Sequence, residues 1–208
     1  MKTTASAIIL CGGKERRFGS NKAKAIVGGM ALIDRVIERL LPVADQIIVV
    51  TAPQKTDVLV EHQAELHTDE YTGRGPLGGI YTGLVAACHP YSIVVGCDMP
   101  FVNTSLLSYM VESADGYDAV IPRLGKNMLE PLHAVYHKAC IPVMREALEK
   151  DNLSIYQITD RLKVRYVESV EYLKLDPEMY SFFNINYPDD VDKANQMAVR
   201  VTPDSSTG

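Results

Sequence analysis

The sequence predicts an α/β fold, one domain with a mostly parallel sheet and helices on both faces. Wholly apolar, β-branched runs such as Ile47-Ile48-Val49-Val50 suit parallel strands, which are covered on both sides. Those runs alternate with stretches of helical periodicity, the pattern of repeated β-α units. The length, 208 residues, accommodates one such domain and leaves little room for a second.

Each element has its own signal. Residues 5–11 are an apolar run and form the first strand. Over 32–41, apolar residues recur at helical spacing (Leu32, Ile33, Val36, Ile37, Leu40, Leu41) and stop before Pro42. Residues 46–51 are a strand, 56–62 a short helix and 65–68 a weak strand. A helix over 78–88 is entered through Pro76, and 91–97 is another apolar strand. Asn103 caps a helix over 103–113, because its side-chain oxygen can take a free backbone N–H. A strand follows at 118–122. Beyond it the pattern loosens: 131–136 reads as extended, 141–149 as helix, 164–167 and 182–185 as short strands. Pro188, with Asp189 and Asp190 behind it, opens a terminal helix that ends near Val199, since proline and acidic residues suit a first helical turn. The domain spans 1–200 on this reading, with a frayed, flexible polar tail over 201–208.

Composition excludes several classes. The hydrophobic share of 47% and charged share of 23% are ordinary for a soluble globular chain. A net charge of -5 argues against general attraction to nucleic acid or anionic membranes, so any anion site must be local. No apolar run approaches the length of a membrane span. Met1-Lys2-Thr3-Thr4-Ala5 runs straight into the first strand, leaving no room for a signal peptide. The four cysteines, Cys11, Cys88, Cys97 and Cys140, contain no C-x-x-C pair and read as small buried hydrophobes in a reducing cytoplasm.

The chemistry concentrates at strand ends. Open α/β sheets bind ligands beyond the carboxyl ends of their strands. On the assignments above, Gly12-Gly13, Thr51, Asp69 and Asp98 all fall on that rim. After the first strand comes Leu10-Cys11-Gly12-Gly13-Lys14-Glu15-Arg16-Arg17-Phe18-Gly19-Ser20-Asn21-Lys22. Glycines let a backbone turn tightly against a ligand, and N–H groups in such a turn converge on phosphate oxygens. Arg17 and Lys22 add a planar fork and a point of positive charge. The segment is neither a Walker A loop nor G-x-G-x-x-G. It resembles the L-x-G-G-x-x-x-R-x-G-x-x-K signature of nucleotidyltransferases.

Asp98, in Gly96-Cys97-Asp98-Met99-Pro100-Phe101, is placed to hold a divalent cation. Mg²⁺ uses one or two carboxylates plus substrate phosphates and water. The plainer alternative is a turn cap before x-Pro. Asp69 either hydrogen-bonds a nucleoside or is a polar loop residue. In Gly73-Arg74-Gly75-Pro76-Leu77-Gly78-Gly79, glycines at a helix start cost stability, which suggests close approach to a flat base. Asn184 and Asn186, at strand spacing, face one way and could position a metal-bound phosphate. His133 reads as a partly buried polar residue rather than a general base. His62, His67, His89 and His137 show no ligand spacing.

From Ile8 to about Ala198 the chain resembles the molybdenum cofactor guanylyltransferases. The more specific stretches are Gly75-Pro76-Leu77-Gly78-Gly79, Cys97-Asp98-Met99-Pro100-Phe101, Glu130-Pro131-Leu132 and Phe183-Asn184-Ile185-Asn186-Tyr187-Pro188-Asp189-Asp190. The resemblance implies a single Rossmann-like nucleotidyltransferase domain that joins GMP from GTP to molybdopterin carrying molybdenum and releases pyrophosphate. It implies that Leu10, Cys11, Gly12 and Gly13 hold the nucleotide, with Lys22 and Arg17 on its phosphates. Thr51, Asp69 and Gly78 would line the nucleoside pocket, Asp98 would bind Mg²⁺, and Asn184 and Asn186 would lie toward the pterin. Lys22, Arg17 and Asp98 would carry the catalysis. The implied partners are GTP, molybdopterin, cofactor-maturation proteins and molybdoenzymes. Cys11 stands where the family often has Ala, and Thr51 where a guanine-contacting Asn is common. Rival readings are a nucleotidyltransferase using CTP or another phosphate acceptor, and a non-catalytic nucleotide-binding protein.

Overall fold

A computed structural model describes residues 5–12, 22–53, 64–126 and 128–200, and of Lys22 the backbone only. Among the described residues, eight strands build the central sheet: β1 (Ser6–Cys11), β4 (Gln46–Thr51), β5 (Ala64–Thr68), β6 (Tyr91–Gly96), β7 (Ala119–Gly125), β8 (Met128–Leu129), β9 (His133–His137) and β10 (Val164–Val167). They lie in the order β10-β7-β9-β6-β1-β4-β5, with β8 paired to β7. β1 pairs in parallel with β4 and β6, β4 with β5, and β7 with β10. β9 runs antiparallel between β6 and β7. A small hairpin of two further strands, Ile26–Val27 (β2) and Met30–Ala31 (β3), lies apart from the sheet.

Side chains alternate across the pleat, and that alternation divides the core in two. Ala7, Ile9, Cys11, Ile47, Val49, Ile93 and Val95 face one layer, with α1 (Leu32–Leu40), α3 (Thr104–Glu112) and Tyr172 of α6 (Ser169–Leu175). Ile8, Leu10, Ile48, Val50 and Val94 face the other, with α2 (Gly75–Ala86), α4 (Cys140–Glu149) and α5 (Ile155–Thr159). A third cluster of Val27, Leu32, Phe101, Ile185 and Ala194 seats α7 (Pro188–Ala198) against the hairpin.

The strands expected at 46–51, 65–68 and 164–167 and the helices expected at 32–41, 103–113 and 141–149 are present within a residue at each end. Asn103 caps α3 by accepting the Leu106 N–H at 2.9 Å. Four readings change. The helix expected from 78 begins at Gly75, whose φ of +66° supplies the turn into it. The strand expected at 182–185 is instead a 3₁₀ turn, Tyr180–Phe182, followed by irregular chain. Asp176 explains that difference, since its carboxylate takes the N–H groups of Tyr180 and Ser181 at 3.1 and 2.8 Å and so winds the chain. β7 extends beyond 122 to Gly125 because β8 folds back onto it. His133 is fully rather than partly buried. The helix expected at 56–62 and the tail at 201–208 lie outside the described residues.

Candidate active site

The register of the sheet makes the rim. Cys11 lies opposite Thr51, Thr51 opposite Thr68, and Leu10 opposite Gly96, so four parallel strands end at one level. The chain leaves each end in the same direction. Gly12 is exposed there. Asp69 donates its N–H to the Thr51 carbonyl at 2.8 Å, and Cys97 donates to the Leu10 carbonyl at 3.1 Å. The expected gathering of strand-end residues on one rim is therefore observed. Of the signature loop, Gly13, Arg17 and the side chain of Lys22 lie outside the described residues.

Asp98 is half-buried just past β6. A Cβ on Gly96 would collide with its Oδ1, so glycine at 96 permits the carboxylate to fold back over the strand end. The Ile185 N–H donates to the Asp98 carbonyl at 2.9 Å, which draws the segment carrying Asn184 and Asn186 to this corner. The two residues lie in irregular chain rather than in the strand expected there. Asn184 donates to the Phe182 carbonyl at 3.2 Å, whereas exposed Asn186 gives its backbone N–H to Asp190 at 3.0 Å.

Glu130, quoted in a motif but given no role from sequence, joins the same corner. Its N–H donates to the Pro122 carbonyl and the Gly96 N–H donates to the Leu132 carbonyl, so the Glu130-Pro131-Leu132 strap crosses from β7 to the end of β6. Burial raises the Glu130 carboxyl above its ordinary range, and the charge of Asp98 raises it further. No group of three or more His, Cys, Asp and Glu gathers as a metal cage among the described residues. Mg²⁺ does not need one, because nucleotide phosphates and water complete its shell. Carboxylate oxygens of Asp98 with Glu130 nearby are a donor set that fits this hard cation.

On the other side of the rim, Asp69 sits under the start of α2. Its Oδ1 accepts the Tyr71 N–H at 2.9 Å and the Thr82 hydroxyl at 3.4 Å. Desolvation nevertheless raises its carboxyl. A Cβ on Gly78 would lie 3.0 Å from that same oxygen and 2.9 Å from the Tyr71 carbonyl. Gly78 and Asp69, read separately from sequence, are thus neighbours. Leu10 is buried in the core and reaches the rim through its carbonyl. Thr51 is only 3% exposed, so its hydroxyl is covered. Gly79 and Gly83 have a packing purpose instead: a Cβ at 79 would stand 3.0 Å from Leu10, and one at 83 would collide with Ile8. They let α2 lie close on β1. His133 packs edge-on against Phe182 with ring centroids 5.2 Å apart. Burial drives its imidazole down to about 3, so it is neutral and unsuited to hold a proton for catalysis at pH 7.

A level parallel rim carrying an exposed glycine, a carboxylate and a polar strap defines a Rossmann-like α/β domain of the nucleotidyltransferase type. The 2-C-methyl-D-erythritol 4-phosphate cytidylyltransferase of Thermus thermophilus shares this fold, with a TM-score of 0.71 at 19% identity over 95% of this chain and 100% of that one. Residues 7–165 match the MobA-like NTP transferase domain, and the chain belongs to that family. It is 36% identical to a probable molybdenum cofactor guanylyltransferase of Pelotomaculum thermopropionicum over 93% of each chain. It is 35% identical to the molybdenum cofactor guanylyltransferase of Desulfosudis oleivorans over 91% of this chain and 93% of that protein. Among solved structures, the molybdopterin-guanine dinucleotide biosynthesis protein A of Archaeoglobus fulgidus superposes with a TM-score of 0.81 at 30% identity, covering 94% of this chain and all of that one.

Proposed function

We propose that this protein transfers GMP from GTP to the phosphate of molybdopterin carrying molybdenum, forming the guanine dinucleotide cofactor and pyrophosphate. The reading is carried by one observation: Gly12 after β1, Asp98 after β6 and the Asn184–Asn186 segment meet at a single corner of the rim. A phosphorus atom held over that corner would have the exposed Gly12 backbone on one side and the Asn184–Asn186 segment on the other. The acceptor's phosphate oxygen attacks the α-phosphorus in line. A new P–O bond forms as the bond to the β-phosphate oxygen breaks, and the electron pair leaves with pyrophosphate. No protein nucleophile is required, so positioning and charge neutralisation supply the rate. Asp98, with Glu130 nearby, would hold Mg²⁺, which when bound would neutralise phosphate charge. Lys22 and Arg17 add cations to the same phosphates, while Thr51, Asp69 and Gly78 border the nucleoside. The dinucleotide product passes to cofactor-maturation proteins and molybdoenzymes in the cytoplasm.

The test is pyrophosphate release with Mg²⁺, molybdopterin-loaded acceptor and each of GTP, CTP and ATP. Turnover confined to GTP is expected. Preference for CTP would move the protein to cytidylyl transfer, and nucleotide binding without turnover would make it non-catalytic. Asp98→Ala and Lys22→Ala should fold normally and lose transfer by ~100-fold or more, the scale for removing a group that stabilises developing charge. Wild-type rates in both would overturn the mechanism.

A further inference from the structure

The ends of β1 and β6 each carry a cysteine, and the fold sets the two side by side. Leu10 lies opposite Gly96, and the Cys97 N–H donates to the Leu10 carbonyl at 3.1 Å, so the ladder runs on to Cys11 and Cys97. Side chains alternate across the pleat. Cys11 follows Ala7 and Ile9 on one face, Cys97 follows Ile93 and Val95 on the same face, and both pack in the layer that holds α1 and α3. Neighbouring strands lie about 4.8 Å apart, inside the Cα separation of about 4.4–6.8 Å that a disulfide spans. Both cysteines are present as thiols.

The other two cysteines are placed differently. Cys88 is exposed at the opposite end of the sheet, beside Ser6. Cys140 gives its S–H to the Asp118 carbonyl, and burial pushes its thiol up to about 12, which keeps it protonated and inert. The expectation of four buried cysteines thus holds for Cys11 and Cys140 only. Cys97 is half-buried, whereas Cys11 is 4% exposed. A more accessible thiol next to a covered one is the arrangement of an attacking cysteine and its resolving partner.

We propose that Cys11 and Cys97 are a reversible oxidation site, closed by low-molecular-weight disulfides, and that the closed form transfers nucleotide slowly. The Cys97 thiol gives up its proton, and its sulfur attacks the small disulfide. A mixed disulfide forms, and one small thiolate leaves and takes a proton. The Cys11 sulfur, also deprotonated, then attacks Cys97 Sγ. The mixed S–S bond breaks, and the second small thiolate leaves and is protonated. Two protein thiols lose two electrons, and one small disulfide is reduced to two thiols.

Gly12 comes directly after Cys11 and Asp98 directly after Cys97. A disulfide holds its Cβ atoms about 3.8 Å apart, so closing it draws the two strand ends together by about 1 Å against the strand spacing. Asp98 moves with them, because its Oδ1 is folded tightly back over Gly96. A misplacement of about 1 Å costs a reaction up to ~100-fold. This consequence rests on the reading that the rim carries nucleotidyl transfer.

The test incubates the full chain carrying Cys88→Ser with oxidised glutathione, then takes peptide masses without reduction. That background is chosen because the tryptic peptide holding Cys97 also holds Cys88. A peptide pair joined through Cys11 and Cys97 is expected. Pyrophosphate release should fall ~10- to 100-fold and return with dithiothreitol. Adding Cys97→Ala should preserve the reduced rate and abolish the response to oxidant. Absence of the linked pair, a linked form with an unchanged rate, or equal loss of rate in Cys97→Ala overturns the proposal. If the reduced protein transfers no nucleotide at all, the proposed function fails, while the peptide masses still decide whether the site closes.

Discussion

Asp69 shows how one carboxylate is read differently at the two stages. From sequence it is a polar residue at a strand end. In the fold, α2 lies over it, and Tyr71 and Thr82 hydrogen-bond its Oδ1. Burial raises its carboxyl above the ordinary 3.8, so the folded protein holds this proton more tightly than the unfolded chain. The associated stability is present below the ordinary value and is lost as pH rises through the raised one. Asp69→Asn keeps an oxygen acceptor and removes the titration. Its Tm should therefore gain on wild type as pH rises from about 3 to 7. Thermal melts across that range check this, and a wild type that gains on the variant would contradict it. Asp98 was legible because it stands in a motif at a strand end. Glu130 was not, since only the strap between β7 and β9 brings it to Asp98.

At the scale of elements, α6 and β10 are joined by polar contacts that periodicity could not reveal. Arg165 of β10 donates to Glu171 of α6 at 2.7 Å, and the Tyr109 hydroxyl of α3 donates to the same oxygen at 2.5 Å. Burial alone would raise the Glu171 carboxyl. The Tyr109 hydroxyl, the Glu168 N–H and Arg165 overcome that and hold it at about 2. The stability this contributes is present above the ordinary value of 4.5 and is lost as pH falls toward 2. Glu171→Gln should cost about 1–2 kcal/mol at pH 7, with the gap closing as pH falls below 4. Urea unfolding at pH 7 and pH 3 measures it, and a gap that stays constant would overturn the assignment. α6 was missed because it is a short capped helix without a long apolar stripe. α2 was found but entered late, because its glycines read as loop until the close packing on Leu10 and Ile8 explained them.

For the whole molecule, the rim spans strands from both halves of the sheet, so a nucleotide bound there engages only the folded state. Binding to the native state alone stabilises by RT ln(1 + [L]/Kd), about 2.7 kcal/mol at 100 Kd. In a domain of this size that raises Tm by ~5–10 °C. GTP with Mg²⁺ should produce such a shift in a thermal scan, and CTP a smaller one. Equal shifts would show that the pocket does not read the base.

Local patterning by itself determined much of this protein. Apolar runs that need cover on both faces dictate a parallel sheet, and the residues that follow such strands must share a rim, whatever else the chain does. That logic located Gly12, Thr51, Asp69 and Asp98. Tertiary structure alone decided which rim residues touch. The antiparallel return of β9 carries Glu130 to Asp98, and the Ile185 N–H ties the segment of Asn184 and Asn186 to the Asp98 carbonyl. Each of these depends on contacts between residues far apart in the chain, and burial and hydrogen bonding across that distance leave no period in the sequence to read.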